Sequence, residues 1–218
     1  MIYGPGFVEA LVTIALVCRG IFSLEKLDKN AGTEQKWKQV PRNRVLSGII
    51  MCSLFTCRVS AAGADGEYYL RVLLLGVVSG GLLAAWVMDV ETHMIYDFVW
   101  WISGSAAFLL LVFSGNARIV RWDITVFIVL QQLVFGRLYG RADCHAFSVC
   151  ALVEGAFGMT MQDYLMHMLI ALCILTVVQL AKGNVTGDGR LKEPVPFLPY
   201  IAVSFIYKVF LVYLCIAY

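Results

Sequence analysis

Eight stretches of this chain run almost without charge for the length of a helix that crosses a membrane, or slightly less, and that pattern excludes most folds. They lie at about 5–23, 45–62, 68–88, 97–115, 123–139, 144–158, 164–181 and 199–218. A spanning helix needs about 20 mostly apolar residues, because a bilayer has no water to satisfy exposed backbone groups. The runs are continuous rather than alternating, so they read as helices and not as strands of a transmembrane barrel. Composition agrees: the chain is 60% hydrophobic and 15% charged, with mean hydropathy +0.78, where soluble domains are about 25% charged. The expectation is an all-α, polytopic transmembrane bundle of about seven to eight spans, with little of its 218 residues left for a soluble domain. The second and sixth stretches are the weakest, the sixth because it carries Glu154, Gly155 and Gly158.

Lysine and arginine in short loops set orientation. The 24–44 loop carries Lys26, Lys29, Lys36, Lys38, Arg42 and Arg44, which places it in the cytoplasm. Counting forward puts 63–67 outside, 89–96 inside, 116–122 outside, and 140–143 and 182–198 inside. Only 116–122, with Arg118 and Arg121, runs against the rule. The expected location is a multi-pass plasma (inner) membrane. Residues 1–66 form an N-terminal membrane segment with two spans and the basic loop, and 67–218 form the remaining membrane domain. No basic residue precedes the first apolar run, so a cleaved signal peptide is not expected. Tyr96, Trp100, Trp101, Trp122 and Tyr139 fall near span ends, where aromatic residues favour the interface.

Partners and cofactors follow from what the charges and sulfurs do not do. No basic patch is interleaved with aromatics, so the bilayer and not nucleic acid is the expected surface. The seven cysteines are scattered without a CxxC pair and read as reduced thiols. His93 and His167 stand far apart with no ligand spacing, so neither a metal nor a cofactor is expected.

Against this apolar background the acids stand out. Asp89 ends the 68–88 run, where the helix dipole disfavours an anion. Asp143 follows Gly136-Arg-Leu-Tyr-Gly140-Arg-Ala142 and precedes Cys144-His145. Gly140 and Ala142 leave the backbone there without bulky side chains, so a substrate backbone can approach. Both acids fall on the cytoplasmic side by a count that does not use them. An acid at a membrane helix centre costs roughly 2.5–3.5 kcal/mol, so such residues mark function. Two carboxylates that meet cannot both ionise comfortably and share a proton. One then draws a proton from water while the other donates to a scissile carbonyl. Capping the following helix is the alternative role for Asp143, and helix-terminal stabilisation is the first reading of Asp97. Lys208 is expected to snorkel from the last span. Glu154 reads equally as a polar contact or a cavity-lining acid, and Gln131 and Gln132 as bonds to neighbouring helices.

The same residues resemble the type IV prepilin peptidases, also called prepilin leader peptidases, which include the archaeal preflagellin peptidases. The likeness rests on Asp89 after an apolar run, Asp97 eight positions later, the GxGD-like turn ending at Asp143, 54 positions after Asp89, and the late Pro196-Phe-Leu-Pro199. It covers about residues 70–205. Ala142 stands at the second glycine, His145 at the usual lysine, and Tyr96 at the proline before Asp97. Gly187-Asp188 lies directly before Pro196-Phe-Leu-Pro199 and is not taken as the second motif. The resemblance implies an aspartyl endopeptidase with Asp89 and Asp143 as the catalytic pair and Gly140, Ala142, Asp97 and His145 in support. The implied substrate is the leader of a prepilin-like protein, cut at the cytoplasmic face. The paired CxxC motifs linked to N-methylation in many members are missing, so peptidase activity alone is implied. A more distant likeness to the presenilin group, through Tyr96-Asp97, would move the first acid to Asp97. The rival functions are a proton- or ion-coupled transporter using intramembrane carboxylates and a noncatalytic scaffold whose acids act as caps.

Overall fold

A computed structural model of the chain describes residues 11–12, 15, 66–92, 95–114, 122–184 and 195–216. Most of the first expected span, all of the second, the basic loop, Arg118, Arg121, His93 and Gly187-Asp188 lie outside the described residues. What is described is all-helical: α1 (Gly66–Thr92), α2 (Asp97–Phe113), α3 (Trp122–Leu133), a 3-10 turn (Phe135–Arg137), α4 (Arg141–Ala156), α5 (Met161–Ala181) and α6 (Leu198–Ile216). Each coincides with an apolar run of the sequence, with shifts of a few residues at the ends. The largest shift is at the fifth run, where α3 ends at Leu133 and the chain tightens into the 3-10 turn. Among the described residues two segments are long and apolar enough to cross a membrane, Leu73–Val90 within α1 and all of α5, while α2 is apolar but shorter.

The core gathers around α4. Residues 146–151 and 153–156 of this helix are all buried, as is Cys144. α2, α3 and α6 pack on α4, and α5 pairs with α6. α5 itself buries only Tyr164, His167, Met168, Ala171 and Gln179, and turns Leu165, Met166, Leu169, Leu172, Val177 and Leu180 outward. An exposed stripe of that composition suits an apolar medium. Trp101 and Trp122 are 76% and 71% exposed, but Trp100 turns inward and is 8% exposed.

The turn from α4 to α5 is set by local chemistry. Gly158 takes φ +81, a conformation that glycine adopts without penalty. Thr160 is then the N-cap of α5 in a capping box, in which Asp163 Oδ2 accepts the Thr160 backbone N–H at 2.8 Å.

α1 and α2 meet at a point of close approach. A methyl group on Gly81 would stand 1.8 Å from Ser103 Oγ and 3.1 Å from its Cβ, whereas one on Gly104 would meet nothing within 4 Å. Small residues at such crossings let membrane helices approach closely. Gly81→Val is expected to lower the stability of the purified protein by about 1–3 kcal/mol through overpacking. Gly104→Ala, read by the same thermal or chemical denaturation, is expected to be close to neutral.

Candidate functional site

Three chain segments far apart in sequence converge at one end of the bundle. Asp89 lies one turn before the end of α1, Asp143 in the first turn of α4, and Leu198 opens α6. The Asp89 Oδ2 atom accepts the backbone N–H of Leu198 at 3.3 Å across 109 residues. The first N–H groups of a helix have no partner within it. Leu198 is followed by Pro199, which has no N–H and suits a first turn. The segment Pro196-Phe-Leu-Pro199 therefore presents a helix start to the Asp89 carboxylate. From sequence alone Asp89 has no structural role. The geometry supplies one: its anion serves the positive end of α6 rather than only opposing the negative end of its own helix.

Asp143 occupies the third position of α4, with Gly140 as N-cap. Its carboxylate bonds the Gly140 backbone, the half of a capping box that an acid at this position supplies. Gly140 has no side chain to return the bond. Asp143 thus caps its helix and also lies close enough to Asp89 to be repelled by it. Its carboxyl lies in the turn before the 144–158 apolar run. It is pushed up from 3.8 to about 7, first by burial and then by repulsion from Asp89, against the opposing effect of the Gly140 hydrogen bond.

The sign of the resulting pH dependence follows directly. The folded chain holds a proton that the unfolded chain releases near 3.8. Stability from this group is therefore full below that value, declines as pH rises toward about 7, and is level above it. Thermal midpoints measured across that window are expected to fall in the wild type, and this component is expected to vanish in Asp143→Asn.

Gly140 and Ala142 do not form an open glycine turn. Gly140 has φ −60 and ψ 151, which any residue can adopt, and a methyl there would stand 3.3 Å from Asp143 Oδ2. Ala142 is inside the first turn of α4 and packs partly against the core. Alanine is the best helix former, so the missing second glycine carries no conformational penalty in this backbone.

His145 and Asp97 are brought to each other rather than to the carboxylate pair. Two positions after Asp143 on a helix, His145 faces away from it. Its ring lies 6.0 Å from that of Trp100, its Nδ1 is 3.4 Å from Gln132 Nε2, and Asp97 and Arg141 act on it electrostatically. Gln132 Nε2 also donates to Ser148 Oγ at 3.3 Å, as expected of a glutamine bonding a neighbouring helix. Asp97 is exposed and is the first residue of α2, with Tyr96 as N-cap. That position fits the dipole reading.

One residue that the sequence argument assigned to the interface belongs beside the site. Tyr139, one turn before Asp143, donates its hydroxyl to Gln131 Oε1 at 2.5 Å, and Gln131 Nε2 donates to Met168 Sδ at 2.9 Å. The Tyr139 ring lies edge-on to Phe147 and Phe197, each with centroids 6.0 Å away. It thereby ties the Pro196-Phe-Leu-Pro199 segment to α4. The signal available in the sequence was its spacing: four positions before Asp143, with a buried Gln131 eight positions before Tyr139 itself. No family model, no curated protein and no solved structure matches the chain.

Proposed function

We propose that this chain is a polytopic aspartyl endopeptidase of the plasma (inner) membrane that cuts the leader of type IV prepilin-like proteins at the cytoplasmic face. The observation that carries the reading is the meeting of Asp89 and Asp143 from two helices in a partly dry site, where burial and mutual repulsion push Asp143 up to about 7. Near neutral pH Asp143 then keeps the shared proton and serves as the acid toward the scissile carbonyl oxygen. Asp89, whose oxygen receives an N–H and so suits the ionised state, draws a proton from the attacking water. Water adds directly to the carbonyl carbon, and no covalent intermediate forms.

The resemblance to prepilin peptidases gains support from contact. Two of the features that carry it, the aspartate at the end of α1 and Pro196-Phe-Leu-Pro199, touch through Leu198. The seven to eight spans and the cytoplasmic orientation belong to the same proposal, supported by the apolar runs and the loop charges. Co-expression with a prepilin, followed by the mobility shift of leader loss, tests it. Cleavage is expected to decline above about pH 7, as the proton shared by the pair is lost.

A second reading, a proton- or ion-coupled transporter, is favoured by one observation. Glu154 and His167 are buried within the bundle with Lys208, and buried ionisable groups in membranes often line ion paths. Flux of protons into liposomes holding the purified protein would favour it, and leader removal by the same preparation would favour the peptidase.

A further inference from the structure

A second charged cluster joins three helices at the far end of the bundle from the carboxylate pair. Glu154 stands in the last turn of α4, His167 in the second turn of α5, and Lys208 ten residues into α6. At about 1.5 Å per residue, Glu154 is roughly 16 Å along α4 from Asp143. Glu154 and His167 are 0% and 2% exposed. Lys208 does not snorkel as expected. Its Nζ donates to Glu154 Oε2 at 2.8 Å and to the backbone oxygen of Asp163.

The surroundings of the His167 ring fix its proton inventory. Nδ1 lies 2.6 Å from Glu154 Oε1, a close charge contact rather than an aligned hydrogen bond. Nε2 lies 3.2 Å from the backbone oxygen of Ile201. Both ring nitrogens therefore face oxygens that only accept. A neutral imidazole has a single N–H. Placed on Nε2, it leaves two lone pairs facing each other at 2.6 Å, and placed on Nδ1 it sets the Nε2 lone pair against the Ile201 oxygen at 3.2 Å. Both contacts are satisfied together only when a proton lies between Glu154 and His167 while the ring donates to Ile201.

We infer that Glu154, His167 and Lys208 form a buried proton-binding site, holding one proton between Glu154 Oε1 and His167 Nδ1 beyond those of an ordinary ion pair. The proton can sit on the ring, giving imidazolium, carboxylate and ammonium, or on Glu154, giving carboxylic acid, neutral imidazole and ammonium. Both forms carry one net positive charge.

The fold accommodates that charge. The Ile201 and Asp163 carbonyl dipoles point at it, and Glu154 is at the negative end of α4. The His167 ring meets Phe147 at 5.6 Å in a T-shaped contact and stacks on Phe205 at 6.1 Å, and an aromatic face attracts a cation. Cys150 of α4, fully buried beside Glu154 and Lys208, is a further titratable side chain acting with the cluster. Phe147 and Phe197 stand between this cluster and Tyr139 beside the carboxylate pair. That apolar layer separates the two proton inventories. The inference does not depend on the peptidase reading.

The test is 15N NMR of histidine-labelled full-length protein in lipid nanodiscs at neutral pH, read together with the infrared carboxyl region after 13C-glutamate labelling. The chain has three histidines, and His93→Gln and His145→Gln assign His167 by elimination. Two outcomes support the site: a doubly protonated His167 with no protonated glutamate, or a neutral His167 with its proton on Nε2 together with a protonated, buried glutamate. A neutral His167 with every glutamate ionised overturns it. If either histidine variant fails to fold, the wild type still decides: an imidazolium signal or a protonated-glutamate band at neutral pH supports the site, and the lack of both overturns it.

Discussion

Asp89→Asn and Asp143→Asn are each expected to cut leader removal by about 10²–10⁴-fold, the range that general acid–base groups contribute. The substitution is nearly isosteric and keeps the structural contacts. The amide oxygen introduced at position 89 can still accept the Leu198 N–H, and the one introduced at position 143 can still accept from Gly140. A loss of activity would therefore report chemistry rather than a broken helix cap. Stability separates the two further. Above pH 7 the wild type holds two like charges that repel, so Asp143→Asn is expected to raise the thermal midpoint there while activity disappears. A noncatalytic scaffold would show the stability effect but would have no leader removal to lose. Asp97→Asn is the control. Asp97 is exposed, and it acts on His145 rather than on the pair. Its replacement is expected to leave cleavage within a few-fold of wild type. A loss at Asp97 comparable to that at Asp89 would instead favour the presenilin-like assignment of the first acid.

Glu154→Gln is expected to cause the largest loss of stability, about 3–5 kcal/mol, because it leaves buried positive charge without its counter-charge. Lys208 Nζ would keep only the Asp163 carbonyl, and His167 would lose its anionic neighbour. Lys208→Met is expected to be milder, since Glu154 retains its contact with His167 and the remaining pair is neutral. In the double variant the losses should fall short of their sum, with a coupling energy of about 0.5–3 kcal/mol. Thermal or denaturant unfolding of the four proteins in one detergent measures the cycle. Equal additive losses would mean that the 2.8 Å contact between Lys208 and Glu154 has no energetic weight.

The helices were legible because hydrophobic runs of this length have few other uses. The convergence of Asp89 with Asp143 was legible for a different reason, the cost of leaving acids at such positions without a task. Longer-range details were not. Nothing local to Asp89 announces that its partner is a backbone N–H at Leu198, since the bond depends on where two helices end relative to each other. Ala142 looked like a damaged motif because the glycine pattern suggested an open turn. In a helix first turn the residue is ordinary. Lys208 resembled a snorkelling side chain because sequence shows its length but not that Glu154 and Asp163 meet it inside. Tyr139 and Trp100 fit the interface by position along the chain, yet both turn inward. Proximity to a span end does not fix which side of the helix a residue occupies.

The bond from Leu198 to Asp89 has a consequence for the making of the protein. Chain emerging from a ribosome delivers Asp89 and Asp143 to the membrane well before residue 198 exists. Until α6 arrives, Asp89 lacks the N–H donor that holds its carboxylate, and Phe197 is not there to close against Tyr139. The two acids are thus present early but assembled late, so that a nascent chain carries both groups without the finished arrangement.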